Sequence, residues 1–462
     1  MYDWLTRLSA GQRARLWIGL LPRRMVSPLL FAAVAACNAQ SGGADAASDT
    51  LATAAPVAVS CADGNGGITL PDGFCATVFA DSLGRARHIV VQADGDVYVA
   101  LSNARRGARG GIVALRDTSG DGVADVTARF GDNGGTGIAL YNGALYFATD
   151  GAVLRYALAG DSLAPSGPPD TIVSGLPDDR SHTAKSIEIA PDGALYINIG
   201  APSNSCQRQD RELESPGIDP CPQLERRAGI WKFDAGKPGQ TQADGERYAT
   251  GIRNAVAVEL HPETNVLYAL QHGRDQLHAN WPDLYTEQES AEQPGEEFLR
   301  VRSGDDFGWP YCYYDTELGR KVLAPEYGGN AERAGRCTEI EEPLLAFPGH
   351  WAPNGLLFYS GEQFPERYQG GAFIAFHGSW NRAPLPQQGY NIVFVPFAEG
   401  NPSGDYETFA DGFAGERKEP GAAAHRPVGL AQGPDGSLYI TDDSRGRIWR
   451  VMYAGGSRPT GG

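Results

Sequence analysis

The sequence predicts an all-β fold, a six-bladed β-propeller, from three observations. A hairpin pattern, two alternating strands around a turn rich in Asp, Asn or Gly, occurs at six places, with turns near residues 94, 142, 192, 264, 370 and 435. The early copies are spaced by about fifty residues, a length that suits one multi-stranded blade, and later copies are stretched by insertions. The chain of 462 residues carries 60 Gly and 31 Pro, which mark many turns, and 3.6-residue periodicity is scarce after residue 60.

Each copy is visible in the residues. The first is "ARHIVVQADGDVYVALSN" (86–103) and the second "GIALYNGALYFATDGAVLRY" (137–156). In the third, "RSHTAKSIEIAPDGALYINIG" (180–200), Ile187 and Ile189 alternate with polar neighbours before the Asp192-Gly193 turn, and Leu195, Ile197 and Ile199 do so after it. "AVAVELHPETNVLYALQHG" (255–273), "GLLFYSGEQFPERYQGGAFIAFHG" (355–378) and "PVGLAQGPDGSLYITDDSRGRIWRV" (427–451) complete the set. The stretch "EEFLRVRSGDDFGWPYCYY" (296–314) reads as an outer strand and a loop rather than a seventh copy. The last strand, "GRIWRVMY", is placed to pair with "FCATVFA" (74–80) and close the ring. An irregular β-sandwich is the alternative architecture, and it would not account for regular repeats.

The N-terminal segment reads as an export signal. Arg13, Arg15, Arg23 and Arg24 precede a short apolar run ending in "VAAC" (34–37), a pattern similar to a bacterial lipobox in which Cys37 becomes lipidated. Assigning Cys37 to a lipid leaves six of the 7 cysteines. They fall in three local pairs, Cys61 with Cys75, Cys206 with Cys221 and Cys312 with Cys337, as suits disulfides in an oxidising compartment. The expected organisation is a signal segment over 1–36, an Ala/Ser/Gly-rich tether over 37–60, a propeller domain over 61–455 and a tail over 456–462. The expected location is the periplasmic face of a bacterial membrane, with the lipid as the only membrane contact. The formal charge of −17, about −21 once residues 1–36 are removed, argues against nucleic acid as a partner.

In a propeller the first strand of each blade lines the central channel, and the second returns to the same rim. The starts of the first strands would then bring Arg87-His88, Thr136, His182, Arg253-Asn254, 351–354 and His425-Arg426 to one face. The returning strands would add Ser102-Asn103, Ser203-Asn204, 272–275, "HGSWNR" (377–382) and Asp442-Asp443. Several arginines and histidines thus meet in one concave site of an acidic protein. That concentration favours a polyanionic ligand held by charge-assisted hydrogen bonds.

"HTAKSIEIAPDGALYINIGAPSN", "GIRNAVAVELHP", "QHGRD", "DDFGWPYC", "HGSWNR" and "RPVGLAQGPDGSLYITDD" together resemble the soluble quinoprotein sugar dehydrogenases, in particular their sorbosone and pyranose dehydrogenase branch, in the right order over roughly residues 70 to 453. The resemblance implies a propeller that binds pyrroloquinoline quinone (PQQ) beside a Ca²⁺ ion and oxidises a sugar. It implies His182 as the general base, with Arg253 and Asn254 stabilising the quinone oxygen as negative charge grows there. Backbone carbonyls of Gly273 and Arg274 would hold the calcium. Arg87, Arg382 and Arg426 are the candidates for the carboxylates of PQQ, and Trp380 for stacking on cofactor or sugar. Electrons would pass to a separate acceptor, since no CxxCH haem attachment site is present.

Two departures bear on substrate. Ser181 stands where the glucose dehydrogenases have an Asp before the base, and "APSNSCQ" after Gly200 differs from theirs. Separately, "DTSGDGVAD" (117–125) spaces Asp117, Ser119, Asp121 and Asp125 like the start of an EF-hand loop. Ala128 stands where its bidentate Glu belongs, so a structural Ca²⁺ competes there with a simple Asp/Gly turn. The rival functions are a calcium-dependent propeller lactonase, which needs clustered Glu, Asp and Asn, and a non-catalytic sugar- or protein-binding propeller.

Overall fold

The computed structural model describes residues 59–103, 110–179 and 181–455. The signal segment, Cys37, the tether through residue 58 and the tail lie outside them. Six antiparallel blades form a ring around a central channel, as the repeats predict. The innermost strands are Ala86–Val91, Gly135–Tyr141, Ile187–Ile189, Ala257–Leu260, Pro353–Phe358 and Pro427–Gln432, for blades 1 to 6. Blade 6 draws on both ends of the domain: Phe74–Ala80 pairs antiparallel with Ile448–Tyr453, Phe74 opposite Tyr453. The stretch after 296 supplies Glu296–Val301, the third strand of blade 4, in line with its reading as an outer strand.

The second strand of each blade, such as Val97–Leu101, Ala194–Ile199 or Leu438–Asp442, is buried at every position. Both of its faces meet neighbouring sheets, so it reads as a nearly continuous apolar run. The core is correspondingly divided, and six apolar clusters each lie between two adjacent blades. Phe74, Phe373, Phe409 and Trp449 pack between blades 5 and 6, and Ile187, Ile197 and Trp231 join Tyr146 between blades 2 and 3. All three predicted disulfides form: Cys61–Cys75, Cys206–Cys221 and Cys312–Cys337.

Three insertions are stacked over one rim. Residues 200–228, 272–295 and 377–390 connect the second and third strands of blades 3, 4 and 5. They are tied to one another and to the 302–344 connection of blade 4. Trp309 Nε1 donates to the Asn204 carbonyl at 2.9 Å, and the Cys221 N–H to the Tyr311 hydroxyl at 2.8 Å. These stitches turn long loops into a fixed wall.

The channel below the rim holds a cavity of about 320 Å³ lined by the innermost strands. Its wall is mostly Ile, Val, Leu and Ala, yet Glu188 and Glu259 from blades 3 and 4 meet inside it. Burial pushes both carboxyls up, and the hydrogen bond between them keeps a proton in the pair at neutral pH. The folded state therefore holds a proton that an unfolded glutamate releases above its ordinary value of 4.5. The resulting stability is complete below that value and is lost as pH rises through the raised folded range. Glu188→Gln should accordingly raise the melting temperature at pH 9 by a few degrees and leave it nearly unchanged at pH 4.5. Equal shifts at both pH values in thermal scans would contradict the shared proton.

Candidate active site

His182 sits ahead of the innermost strand of blade 3 with φ +55°, in the left-handed region that few non-glycine residues occupy. Its Nδ1 lies 2.6 Å from the Ala201 carbonyl. A carbonyl can only accept, so Nδ1 carries the proton and Nε2 is left as the basic atom. This contact supplies the orientation that Ser181 does not. Burial, and then the positive charge of Arg253, hold the imidazole down to about 3, so it is neutral throughout the physiological range.

Two neighbours fix the histidine in place. Lys185, fully buried, donates from Nζ to the carbonyls of Pro177 (2.8 Å) and Thr183 (2.6 Å), and so clasps the segment on both sides of His182. Gly200 lies directly behind the imidazole. A Cβ there would come 2.5 Å from the His182 Cβ and 2.7 Å from the Asn254 Oδ1. Both contacts are closer than packed atoms tolerate, and the His182 Cβ, with the His182 carbonyl oxygen at 2.9 Å, cannot swing aside as a side-chain end can. Gly200→Ala is therefore expected to shift His182 and Asn254 and reduce turnover about 10²-fold. Unchanged kcat in that variant would show that the backbone yields at little cost.

Arg253 is buried and its donors are taken by the protein. Nε reaches the Asn204 carbonyl (3.2 Å), Nη1 the Gly273 carbonyl (2.8 Å), and Nη2 both Asn204 Oδ1 (3.1 Å) and Asp275 Oδ2 (2.9 Å). This corrects the expectation that Arg253 donates to a ligand; it contributes charge and holds its neighbours. Asn254 remains the donor at that place, because its Nδ2 has no acceptor among the described residues while its Oδ1 accepts from Asn198 at 3.3 Å.

Asp275 is the centre of this half of the site. Arg211 (2.8 Å), Arg253 (2.9 Å) and Asn381 (2.9 Å) all donate to its carboxylate, with His350 at 3.9 Å. The cations hold its carboxyl well below the usual range despite burial. Across the mouth, Asp443 plays the same part, paired with Arg87 (3.0 Å), Arg85 (3.5 Å) and His377 Nε2 (2.8 Å). Arg87 uses only Nη1 there, and Arg426 uses Nε and Nη2 on the carbonyls of His377 and Gly378. Both arginines thus keep guanidinium donors unpaired among the described residues. Between the two halves, His88 and His272 hold the carbonyls of Asn354 and Pro353 at 3.0 and 2.9 Å. The Oδ1 of Asn354 is buried there without a partner.

Other expected residues fall elsewhere. Arg382 is buried, with Nη1 on the carbonyls of Ala291 (2.8 Å) and Gly349 (3.0 Å) and Nε on that of Pro386 (3.3 Å). It anchors two loops instead of joining Arg87 and Arg426, because three carbonyls surround it. Its neighbour Asn381 reaches the site in its stead. Trp380 projects from the lip, exposed. The Arg274 side chain is buried in an ion pair with Glu326. The Gly273 carbonyl faces the Arg253 guanidinium, so as a calcium ligand it would share its oxygen with a fixed cation.

The loop at 117–125 closes on itself. Asp117 accepts from the amides of Gly120 and Gly122, Asp125 from those of Thr118 and Ser119, and Asp121 from that of Val123. Among the described residues no group of three or more His, Cys, Asp or Glu is placed to share a metal ion.

The model of one protein family, TrAA12-like, matches residues 68–454, nearly the whole ring. The chain belongs to that family. Relatives of this TrAA12-like chain include an uncharacterized protein of Borreliella burgdorferi, 32% identical over 210 residues that cover 45% of this chain and 49% of that protein. A pyrroloquinoline quinone-dependent pyranose dehydrogenase of Coprinopsis cinerea is 28% identical over 174 residues, 32% of this chain and 23% of its own. The chain thus spans about half or less of the length of these curated relatives. Among solved structures, a Trichoderma reesei Carbohydrate-Active Enzymes Family AA12 protein superposes with a TM-score of 0.68 at 19% identity, covering 87% of this chain and 99% of that one. The holo form of the pyranose dehydrogenase PQQ domain from Coprinopsis cinerea does so with 0.67 at 18% identity, covering 83% and 97%. At such identities the superpositions establish the shared propeller.

Proposed function

We propose that this protein oxidises an aldose, sorbosone or a related sugar at its aldehyde-hydrate or hemiacetal carbon, with PQQ as oxidant and Ca²⁺ beside it. The single observation that carries the reading is the neutral Nε2 of His182, held in a mouth whose opposite wall presents Arg87 and Arg426. The site suits such a cofactor: two guanidinium groups with spare donors match a tricarboxylate, and the orphaned Asn354 Oδ1 is the kind of oxygen a hard cation takes. The names of relatives such as the pyranose dehydrogenase support the same chemistry.

PQQ supplies a two-electron acceptor when bound. The chain's own residues do the rest. His182 Nε2 takes the hydroxyl proton of the sugar as the carbon is oxidised, and the Ala201 carbonyl steadies the imidazolium that forms through Nδ1–H. Asn254 Nδ2 donates to the oxygen where negative charge develops, and buried Arg253 adds its field. A trianionic ligand would offset the charge of Arg253 and draw the His182 value upward from its ligand-free position, toward a more effective base.

On the lipobox at 34–37 we place the protein at the periplasmic face of a bacterial membrane, passing electrons to a separate acceptor. A lactonase would need a cluster of acidic and amide ligands at the mouth, which no observation favours, and a pure binding module would have no use for an oriented basic nitrogen. The deciding experiment adds PQQ with and without Ca²⁺ to the purified chain and follows dye reduction across aldoses and sorbosone. Turnover that needs both additions is expected. Absence of PQQ binding in a fluorescence titration would overturn the reading.

A further inference from the structure

The lip of the mouth carries an exposed feature that sugar oxidation does not use. Leu213 and Trp380, 61% and 55% exposed, are the two most exposed large apolar side chains among the described residues. They lie on different insertions tied to one carboxylate. Arg211, two residues before Leu213, and Asn381, next to Trp380, both donate to Asp275, at 2.8 and 2.9 Å.

The segment between them completes a belt. Asn280 Nδ2 donates to the Arg211 carbonyl (2.9 Å), the Glu214 N–H donates to the Asn280 carbonyl (2.8 Å), and Arg382 holds the Ala291 carbonyl from the far side. The two apolar groups are therefore fixed on one rigid lip beside the site.

The charge of that lip is one-sided. Glu212, Glu214, Asp283 and Glu287 are exposed and have no ion-pair partner among the described residues, while Arg208 is the one exposed unpaired cation over 208–214 and 281–292. The inner wall of the mouth is arginine-rich, so the negative belt is a property of the outer lip. Apolar anchors bordered by charge of one sign are the make-up of a protein-docking surface, with the charge selecting and steering the partner.

We propose that this lip docks a cationic one-electron carrier protein, which collects the electrons from sugar oxidation. The inference rests on the function proposed above. Oxidation of a sugar hemiacetal to its lactone releases two electrons and two protons. Two molecules of the oxidised carrier would each take up one electron in succession; the hydroxyl proton leaves through His182, and the second proton is released to solvent as the electrons pass on.

The probe is ferric cytochrome c, a cationic carrier, with a small uncharged dye as the control acceptor. In the protein loaded with PQQ and Ca²⁺, the Glu212→Lys/Glu214→Lys double variant should reduce cytochrome c about tenfold more slowly at low salt. Its salt dependence should flatten, and dye reduction should be unchanged. Leu213→Ser should raise KM for the cytochrome severalfold, again without affecting the dye. Cytochrome rates and salt dependence equal to wild type in both variants would overturn the proposal.

Binding is also read without turnover, by titrating ferric cytochrome c into the loaded protein and following its NMR line widths. If no sugar is oxidised with the dye, the functional reading fails, and the titration still decides the lip: salt-sensitive binding lost in the double variant supports docking, and its absence overturns it. Variants that weaken binding of a cationic polysaccharide such as chitosan, but not of cytochrome c, would assign the lip to substrate and refute the carrier.

Discussion

Replacing His182 by alanine is expected to lower kcat about 10²- to 10⁴-fold, the range lost when a positioned general base is removed. PQQ affinity should change little, since the arginines across the mouth are untouched. The melting temperature should fall slightly, because alanine keeps the left-handed backbone conformation and loses the Nδ1–H bond to the Ala201 carbonyl. Added imidazole should restore part of the rate by entering the space left behind. The wild-type pH profile gives a second check. A base is active when unprotonated, so activity is lost as pH falls through its pKa; with the imidazole held down by burial and Arg253, the acid limb of kcat/KM should lie below 6.5. A His182→Ala enzyme with near-normal kcat would reassign the base.

Asp275→Ala should be the most destabilising single change in the site. It removes the carboxylate shared by Arg253, Arg211 and Asn381 and leaves the buried Arg253 guanidinium without its counter-charge. Breaking a buried pair from one side costs about 3–5 kcal/mol, readable as a shift in the urea midpoint. Asp275→Asn should lose less, since the amide oxygen still accepts one hydrogen bond. The pH dependence follows from the depressed carboxyls of Asp275 and Asp443. Their stabilisation is complete above the unfolded value of 3.8 and is lost as pH falls toward the folded values. Wild type should therefore weaken steeply below about pH 4, and Asp275→Ala should show a shallower loss. Identical acid slopes in the two proteins would mean that the Asp275 carboxylate is not the source.

The propeller was legible because its signal is local and repeated. Alternating strands, Asp-Gly turns and a spacing of about fifty residues are written into each blade. The closing strand was legible for the same reason: "FCATVFA" and "GRIWRVMY" are both unpaired strand patterns at the ends of the ring. The site was legible as a list of rim positions. His182, Asn254, Arg87 and Arg426 arrived where the strand ends placed them, since strand direction alone sets the rim.

What each rim residue touches was not legible. Arg253, Arg382 and Arg426 look alike in the sequence, yet one is surrounded by protein acceptors, one anchors loops and one keeps free donors. Those differences arise where insertions of three blades meet, and no local pattern records which carbonyl or carboxylate will lie within 3 Å of a guanidinium. Arg211 lies in a disulfide-stapled insertion with no repeat to place it, and Gly200 is one of many strand-end glycines until the imidazole beside it is known. By itself, then, the sequence determined the ring, its closure and the set of residues at one rim, because backbone periodicity and strand polarity are local properties. Only the tertiary structure decided the working tautomer of His182, the carboxylate hubs at Asp275 and Asp443 and the acidic lip, because hydrogen bonds, desolvation and charge depend on neighbours that are distant in the chain.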